Sequence, residues 1–333
     1  MPVNILAIES SCDDTSAAVI SDGVVLSNVV SVQTAHAEYG GVVPELASRE
    51  HQLHIIPVVD SALKKASIQK SELSAIAFTR GPGLLGSLIV GVTFAKSLAL
   101  ALDIPLIDVH HMHAHVLAHF AEKPFPEFPF LCLTVSGGHT QIVKVNDALN
   151  MEVIGSTVDD AAGEAFDKTG KMLGLPYPAG PHIDKLAQEG KKVFDFPIAN
   201  MPEYDFSFSG LKTSVMYFLR DKTNEKASFI QENMADICAS VQHSIIEALL
   251  LKLVKASKDL NINNIAIAGG VSANSALRNR IYKEAESRAW NAFIPAFEYC
   301  RDNAAMIGIA AQFKYEKKQF CDQSVTAEAR LTF

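Results

Sequence analysis

Basic charge is scarce in this 333-residue chain: 29 lysines and arginines stand against 37 aspartates and glutamates, a net charge of −8. A protein that grips nucleic acid unaided usually shows a basic bias, because phosphate contacts supply most of the affinity. Any work on RNA would therefore need local patches or partner subunits. Cysteine is scarce too. The five present (Cys12, Cys132, Cys238, Cys300 and Cys321) are odd in number, scattered and never spaced C-x-x-C. That pattern reads as reduced thiols in a cytosolic protein. No run reaches the roughly 18 uninterrupted apolar residues of a membrane span. The opening "MPVNILAIESSCDD" has no basic leader, so neither a membrane anchor nor secretion is expected. Hydrophobic residues make up 48% of the chain, ample for a substantial core. The length suits two ordinary domains or one large one.

A weak internal repeat is present. "NILAIESSCDDTSAAVISDGVVLSNVV" opens with an apolar run at 4–8, breaks into a polar loop at 9–16, and resumes around Asp22-Gly23, a good hairpin signal. "FPFLCLTVSGGHTQIVKVNDALNMEVIGST", 128–157, follows the same order, with a turn expected at Asn146-Asp147. Each unit leads into helical sequence and then into a short apolar strand, a glycine loop and another helix. The duplication predicts two similar α/β lobes facing a ligand cleft. The two polar loops read either as ordinary turns or as cradles for phosphate or carboxylate. Their matching places in both halves favour the ligand.

Five of the eleven histidines fall within "HHMHAHVLAH", 110–119. On a helix His111, His115 and His119 stack along one face, and His110 and His113 point elsewhere. Two imidazoles at i, i+4 can share a metal ion, as in H-E-x-x-H proteases. Here no glutamate follows the first histidine, so that protease chemistry lacks its general base. The third ligand would be a carboxylate that composition does not identify.

The segments "ESSCDDT" (9–15), "ASREH" (47–51), "GPGLLGSL" (81–88), "HHMHAH" (110–115), "VSGGHT" (135–140), "AGEAFDK" (162–168), "YPAGP" (177–181), "SFSGLKT" (207–213), "GGVSAN" (269–274) and "CRDNAAMIG" (300–308) resemble the TsaD family. Its archaeal and eukaryotic members are the Kae-type subunits of the KEOPS complex, and an older label for it is glycoprotease. The likeness is collinear through nearly the whole chain, in what looks like a bacterial, cytoplasmic form. It implies an α/β ASKHA (actin/Hsp70-like) fold with lobes at 1–127 and 128–302, the segment 303–333 packing back onto the first. The implied activity moves a threonylcarbamoyl group from threonylcarbamoyl-adenylate to the exocyclic amine of the adenosine next to the anticodon, in tRNAs reading ANN codons. The resemblance implies one divalent metal, Fe2+ with Zn2+ as the alternative, on His111, His115 and Asp302 in the interlobe cleft. It implies substrate contacts from Thr134, Val135, Ser136, Gly137, Gly138, Asp167, Gly180, Asp184 and Asn274, with Asp13 beside the reaction centre. Implied partners are a TsaB-like ASKHA protein pairing with the N-terminal lobe, a TsaE-like ATPase, and a TsaC-type adenylate synthase as donor source.

The donor is an activated mixed anhydride, so alignment and charge stabilisation suffice without a covalent intermediate. Asp13 reads as a proton acceptor or amine orienter, or else as a turn cap. Asp167 and Asp184 suit a ribose diol, although Asp184 equally fits a solvent-facing helix position. Asn274 suits a nucleotide contact or an N-cap. Arg301 departs from the small polar residue expected before Asp302; it faces solvent or adds charge at the cleft mouth. The competing readings are an ASKHA small-molecule kinase or ATPase, and a nucleotide-binding scaffold subunit without chemistry of its own.

Overall fold

The computed structural model describes residues 2–333, the side chains of Ala37 and Glu38 apart. The chain starts with β1 (Asn4–Glu9), β2 (Asp14–Ser21) and β3 (Val24–Val32), then α1 (Pro44–Ala66), β4 (Ala75–Gly81), α2 (Leu85–Leu102), β5 (Leu106–His110) and α3 (His111–Leu117). The second run is β6 (Phe130–Val135), β7 (Thr140–Asp147), β8 (Asn150–Ser156), α4 (Ala162–Met172), α5 (Gly180–Ala187), α6 (Ser209–Glu225), α7 (Phe229–Glu232), α8 (Met234–Leu260), β9 (Asn264–Ala268), α9 (Ser275–Arg288) and β10 (Asn291–Phe293). α10 (Phe297–Cys300) and α11 (Ala304–Glu316) follow. Two compact units result: Met1–Phe125 with Asp147–Met151 and Pro295–Phe333, and Pro126–Asn146 with Glu152–Ile294.

Both sheets have one topology. The first is ordered β3-β2-β1-β4-β5 and the second β10-β9-β6-β7-β8, so β6 to β10 repeat β1 to β5 position for position. In each, a hairpin strand pairs antiparallel with the leading strand, whose other edge pairs parallel with a later one. The leading strands are buried at every residue, "NILAIE" and "FLCLTV". A strand covered on both faces reads as a continuous apolar run, which is why neither shows alternation. The hairpin of the first unit turns at Asp22 and Gly23, both at positive φ (46° and 80°), the I′ geometry that Asp-Gly favours. The second hairpin turns at Ala148-Leu149 instead of the expected Asn146-Asp147. Asp147 starts that turn, because its Oδ1 accepts the Leu149 N–H at 2.8 Å.

In unit 1 the two faces of β1 build separate cores. Ile5 and Ala7 pack with Ala114 and Leu117 of α3 and with Ala304–Ala311 of α11. Leu6 and Ile8 pack with Ile55, Val58 and Val59 of α1 and with Val92 and Ala95 of α2. In unit 2, Leu131, Leu133 and Val135 of β6 share one core with α4, α6, α8 and α9. α2 and α8 are long and apolar enough to cross a membrane by length and composition alone. α8 is the core helix of unit 2; α2 leaves Leu85, Ile89 and Leu100 exposed.

Gly308 of α11 lies so close to the sheet that a Cβ would fall 2.3 Å from Ile20 Cγ1 and 3.2 Å from Ala7 Cβ. Gly308→Val should therefore destabilise the protein by about 1–3 kcal/mol through overpacking. Thermal melting measures this, and a melt coincident with the wild type would refute the close approach.

Candidate metal centre and ligand loops

α3 begins directly after β5. His110 caps it, its Nδ1 accepting the Met112 N–H at 3.2 Å. His111 and His115, one turn apart, point the same way, with their rings edge to face at 4.7 Å. Asp302, in the loop before α11, brings its Oδ1 to 3.5 Å from His111 Nε2 and 3.1 Å from His115 Nε2. One ligand atom from each of the three residues lies within 4.8 Å of the others. Three donors around one ion at about 2.1 Å would stand roughly 3.4 Å apart in a tetrahedral site, so the spacing fits a nitrogen/oxygen metal centre. His119 is not part of the group: the α-helix ends at Leu117 and a 3₁₀ turn, Ala118–Phe120, carries it off the shared face. His113 stacks on His110 at 4.5 Å and meets Phe333 edge to face at 4.4 Å, and it is not part of the group either.

Behind His111 lies Glu9, which the sequence reading passed over. Its carboxylate is fully buried at the end of β1. It accepts from the Ser11 N–H, from Thr79 Oγ1 at 2.6 Å, and faces His111 Nδ1 at 3.0 Å. A carboxylate on the far ring nitrogen fixes the tautomer, leaving Nε2 free to ligate. Burial would raise the Glu9 pKa, but the adjoining His111 brings it below the ordinary carboxylate value. Burial likewise opposes charge on His111, and the Glu9 and Asp302 carboxylates override it and hold the imidazole well above its usual range. Asp302 is held well below its range, against burial, by His111 and His115. The only sequence signal for Glu9 was an acid ending an otherwise apolar central strand.

Asp13 lies in the 10–13 loop between β1 and β2, half-buried, next to the Cys12 thiol. No backbone N–H among the described residues donates to its carboxylate, so it is not a turn cap. Asp14 is buried, and its Oδ2 takes an ion pair from Arg301 at 3.0 Å. Arg301 thus braces the start of β2, next to the first loop, from its place beside Asp302; neither sequence reading of it anticipated this partner.

Unit 2 carries the other named residues. Thr134 and Val135 are the fully buried end of β6, with the Val135 side chain in the core. Ser136 closes a tight turn: its N–H donates to His139 O at 2.8 Å and its Oγ accepts the His139 N–H at 3.1 Å. Its own N–H is therefore already engaged. Gly137 and Gly138 are exposed, neither has positive φ, and a Cβ on either would meet nothing within 4 Å. Neither conformation nor internal packing requires glycine there, so the open space suits close approach by something outside the chain. Beneath them Gly163 presses on the turn, its N–H donating to Ser136 O at 3.2 Å. Gly180, at the start of α5, is equally open.

Asp167 accepts the Ala179 N–H at 2.8 Å; burial raises its pKa while the backbone amides of Ala179 and Gly180 pull the other way. Asp184 is not a solvent-facing residue. It accepts from Ser275 N at 2.9 Å and Ser275 Oγ at 2.8 Å, at the first turn of α9. Asn274 is the N-cap of α9, its Oδ1 accepting Leu277 N–H at 3.0 Å and its Nδ2 donating to Gln242 at 2.6 Å. Its side chain serves the cap first, because a helix N-terminus leaves N–H groups that need an acceptor.

Burial raises the Asp14 pKa to about 7, with Arg301 pulling it down only in part. A folded-state pKa above the unfolded value gives stability that is present below the unfolded pKa and lost as pH rises toward 7. Asp14→Asn removes that loss. In metal-free protein its melting temperature should gain on the wild type between pH 4.5 and pH 7.5; a constant difference would contradict the assignment.

The chain matches the family model described as "TsaD: tRNA N6-adenosine threonylcarbamoyltransferase" over residues 24–309. It is 60% identical to the tRNA N6-adenosine threonylcarbamoyltransferase of Christiangramia forsetii, covering 99% of this chain and 98% of that one. The Riemerella anatipestifer protein of the same name is 59% identical, with 98% and 97% covered. Among solved structures it resembles full-length HypF in its phosphate- and nucleotide-bound form (TM-score 0.64, 15% identity, 96% of this chain and 47% of that one). It also resembles component A of the (R)-2-hydroxyglutaryl-CoA dehydratase of Acidaminococcus fermentans (TM-score 0.56, 13% identity, 95% and 98%). The latter two likenesses show an ASKHA-type fold.

Proposed function

Since the chain belongs to the TsaD family of tRNA N6-adenosine threonylcarbamoyltransferases and so transfers a threonylcarbamoyl group to tRNA, we propose that His111, His115 and Asp302 hold one divalent metal ion and that Asp13 serves the incoming amine. The observation that carries this reading is the convergence of two imidazole nitrogens on one carboxylate oxygen, with Glu9 fixing the nearer ring. A donor set of nitrogen and oxygen without thiolate suits iron or zinc; we favour Fe2+ from the family resemblance.

The donor, threonylcarbamoyl-adenylate, is a mixed anhydride of a carbamate and a phosphate. The adenosine amine attacks its carbamoyl carbon, a C–N bond forms, the C–O bond to phosphate breaks, and AMP leaves with the electron pair. The amine loses one proton, and we assign to Asp13 its acceptance or the orienting of the amine toward another acceptor. Lewis acidity toward a donor oxygen is what the metal supplies when bound. In unit 2 the backbone around Gly137-Gly138 is the donor cradle, its missing side chains admitting an anionic group to N–H distance. A carboxylate offers about four lone pairs, so Asp167 and Asp184, each holding part of the protein backbone, retain capacity for the ribose hydroxyls. Gly180 lets that group approach α5. Asn274 acts by holding α9 in place.

A net charge of −8 suits a subunit that shares tRNA binding with others. α1 and α2 expose Leu53, Ile56, Leu85, Ile89 and Leu100, an apolar face of the kind that marks a partner. We assign it to a TsaB-like protein, with a TsaE-like ATPase and a TsaC-type adenylate synthase completing the system in the cytoplasm. All five cysteines are free, consistent with a reducing compartment.

His115→Ala should abolish stoichiometric metal in the purified protein while leaving its fold intact; undiminished metal content would remove the triad from consideration. Asp13→Asn keeps shape but removes charge. Single-turnover transfer with saturating donor and reconstituted partners should fall on the order of 10²–10⁴, with donor affinity within a few-fold. A wild-type rate would strike Asp13 from the mechanism.

A further inference from the structure

The segments "ASREH" and "GPGLLGSL" contribute no ligand to the triad, yet the histidine that ends the first and the serine of the second meet at one atom of the first loop. That atom is the carbonyl oxygen of Cys12, directly before Asp13. His51 Nε2, from α1, lies 3.0 Å from it, and Ser87 Oγ, from the first turn of α2, donates to it at 2.9 Å. Both side chains are completely buried. The other ring nitrogen, His51 Nδ1, faces Thr15 Oγ1 at 2.7 Å. Burial lowers the His51 pKa, which keeps the ring neutral. A neutral imidazole has one donor and one acceptor, so with Nε2–H on a carbonyl, Nδ1 takes the Thr15 hydroxyl proton. His51 thus grips the chain on both sides of Asp13, at Cys12 in the loop and at Thr15 in β2. One carbonyl receiving two side-chain donors from two different helices is a fixed point in an otherwise short, irregular segment.

We propose that His51 and Ser87 are positioning residues that set the placement of the Asp13 carboxylate through the Cys12 carbonyl, a role that rests on the reading of Asp13 given above. A catalytic group displaced by about 1 Å can lose on the order of 10²-fold in rate, so the effect falls on transfer rather than on donor binding.

The two amide substitutions separate positioning from stability. Gln places its Nε2 where the His51 Nε2 is and keeps the donation to Cys12. Asn places its amide nearer the Nδ1 position and keeps only the Thr15 side. In single-turnover transfer with reconstituted partners and saturating donor, His51→Asn should fall about 10–100-fold while His51→Gln stays within a few-fold of the wild type. Donor affinity and metal content should be unchanged in both. Ser87→Ala, a near-isosteric change, should give a smaller loss of the same kind and provides the test if His51→Asn does not fold. Wild-type transfer in His51→Asn, or equal losses in Asn and Gln that track their melting temperatures, would overturn the proposal. Asp13→Asn run alongside separates the two failures. A wild-type rate there overturns the role of the carboxylate and this proposal with it. A slow Asp13→Asn beside a wild-type His51→Asn overturns the positioning role alone.

Discussion

A buried carboxylate at the end of β1 is the constraint around which unit 1 is arranged. Glu9 carries charge where water does not reach, and an unpaired charge there would be prohibitively expensive. It is answered by the Ser11 N–H, the Thr79 hydroxyl and His111. Those partners come from the first loop, from β4 and from α3, so one acid fixes three elements at once. Ser11 belongs to the loop that carries Asp13, and its hydroxyl also reaches His111 Nδ1 at 3.2 Å. The orientation of α3 and the course of the first loop are therefore set together. Removing either partner of a buried pair of this kind typically costs about 3–5 kcal/mol, which makes Glu9 and His111 structural as well as chemical.

Unit 2 is built differently. In unit 2 the acids and amides named from the resemblance mostly hold backbone: Asp167 the turn before α5, Asp184 and Asn274 the start of α9. Such groups spend their side chains on holding a rigid frame. The parts left open are backbone, at Gly137, Gly138 and Gly180, where an added Cβ would meet nothing. The contrast between a charged, buried cluster in one unit and open glycines in the other follows from different residues placed on one duplicated topology.

Most of the scaffold was legible in the sequence. The duplicated order of strand, polar loop and hairpin is the observed sheet order in both units. Asp-Gly at 22–23 marked its turn because both residues need positive φ. The second turn was misplaced because Asp147 acts through its side chain, as the start of the turn rather than its centre. The reach of the histidine helix was overestimated for a related reason: periodicity places His119 on the face of His111 and His115, but nothing in that spacing announces the 3₁₀ turn after Leu117.

What the sequence determined by itself was local and periodic: which runs are strands, where the hairpin and the i, i+4 imidazoles fall, and how one half repeats the other. It also carried the family, because collinear motifs survive without knowledge of their contacts. Only the tertiary structure decided which acid serves which group. Glu9 and His111 are 102 residues apart, Arg301 and Asp14 are 287 apart, and His51 meets Cys12 across 39. Each pairing depends on burial, which removes water as the competing partner and obliges every polar atom to find one in the protein. That obligation is settled by packing in three dimensions, and spacing along the chain holds no record of it.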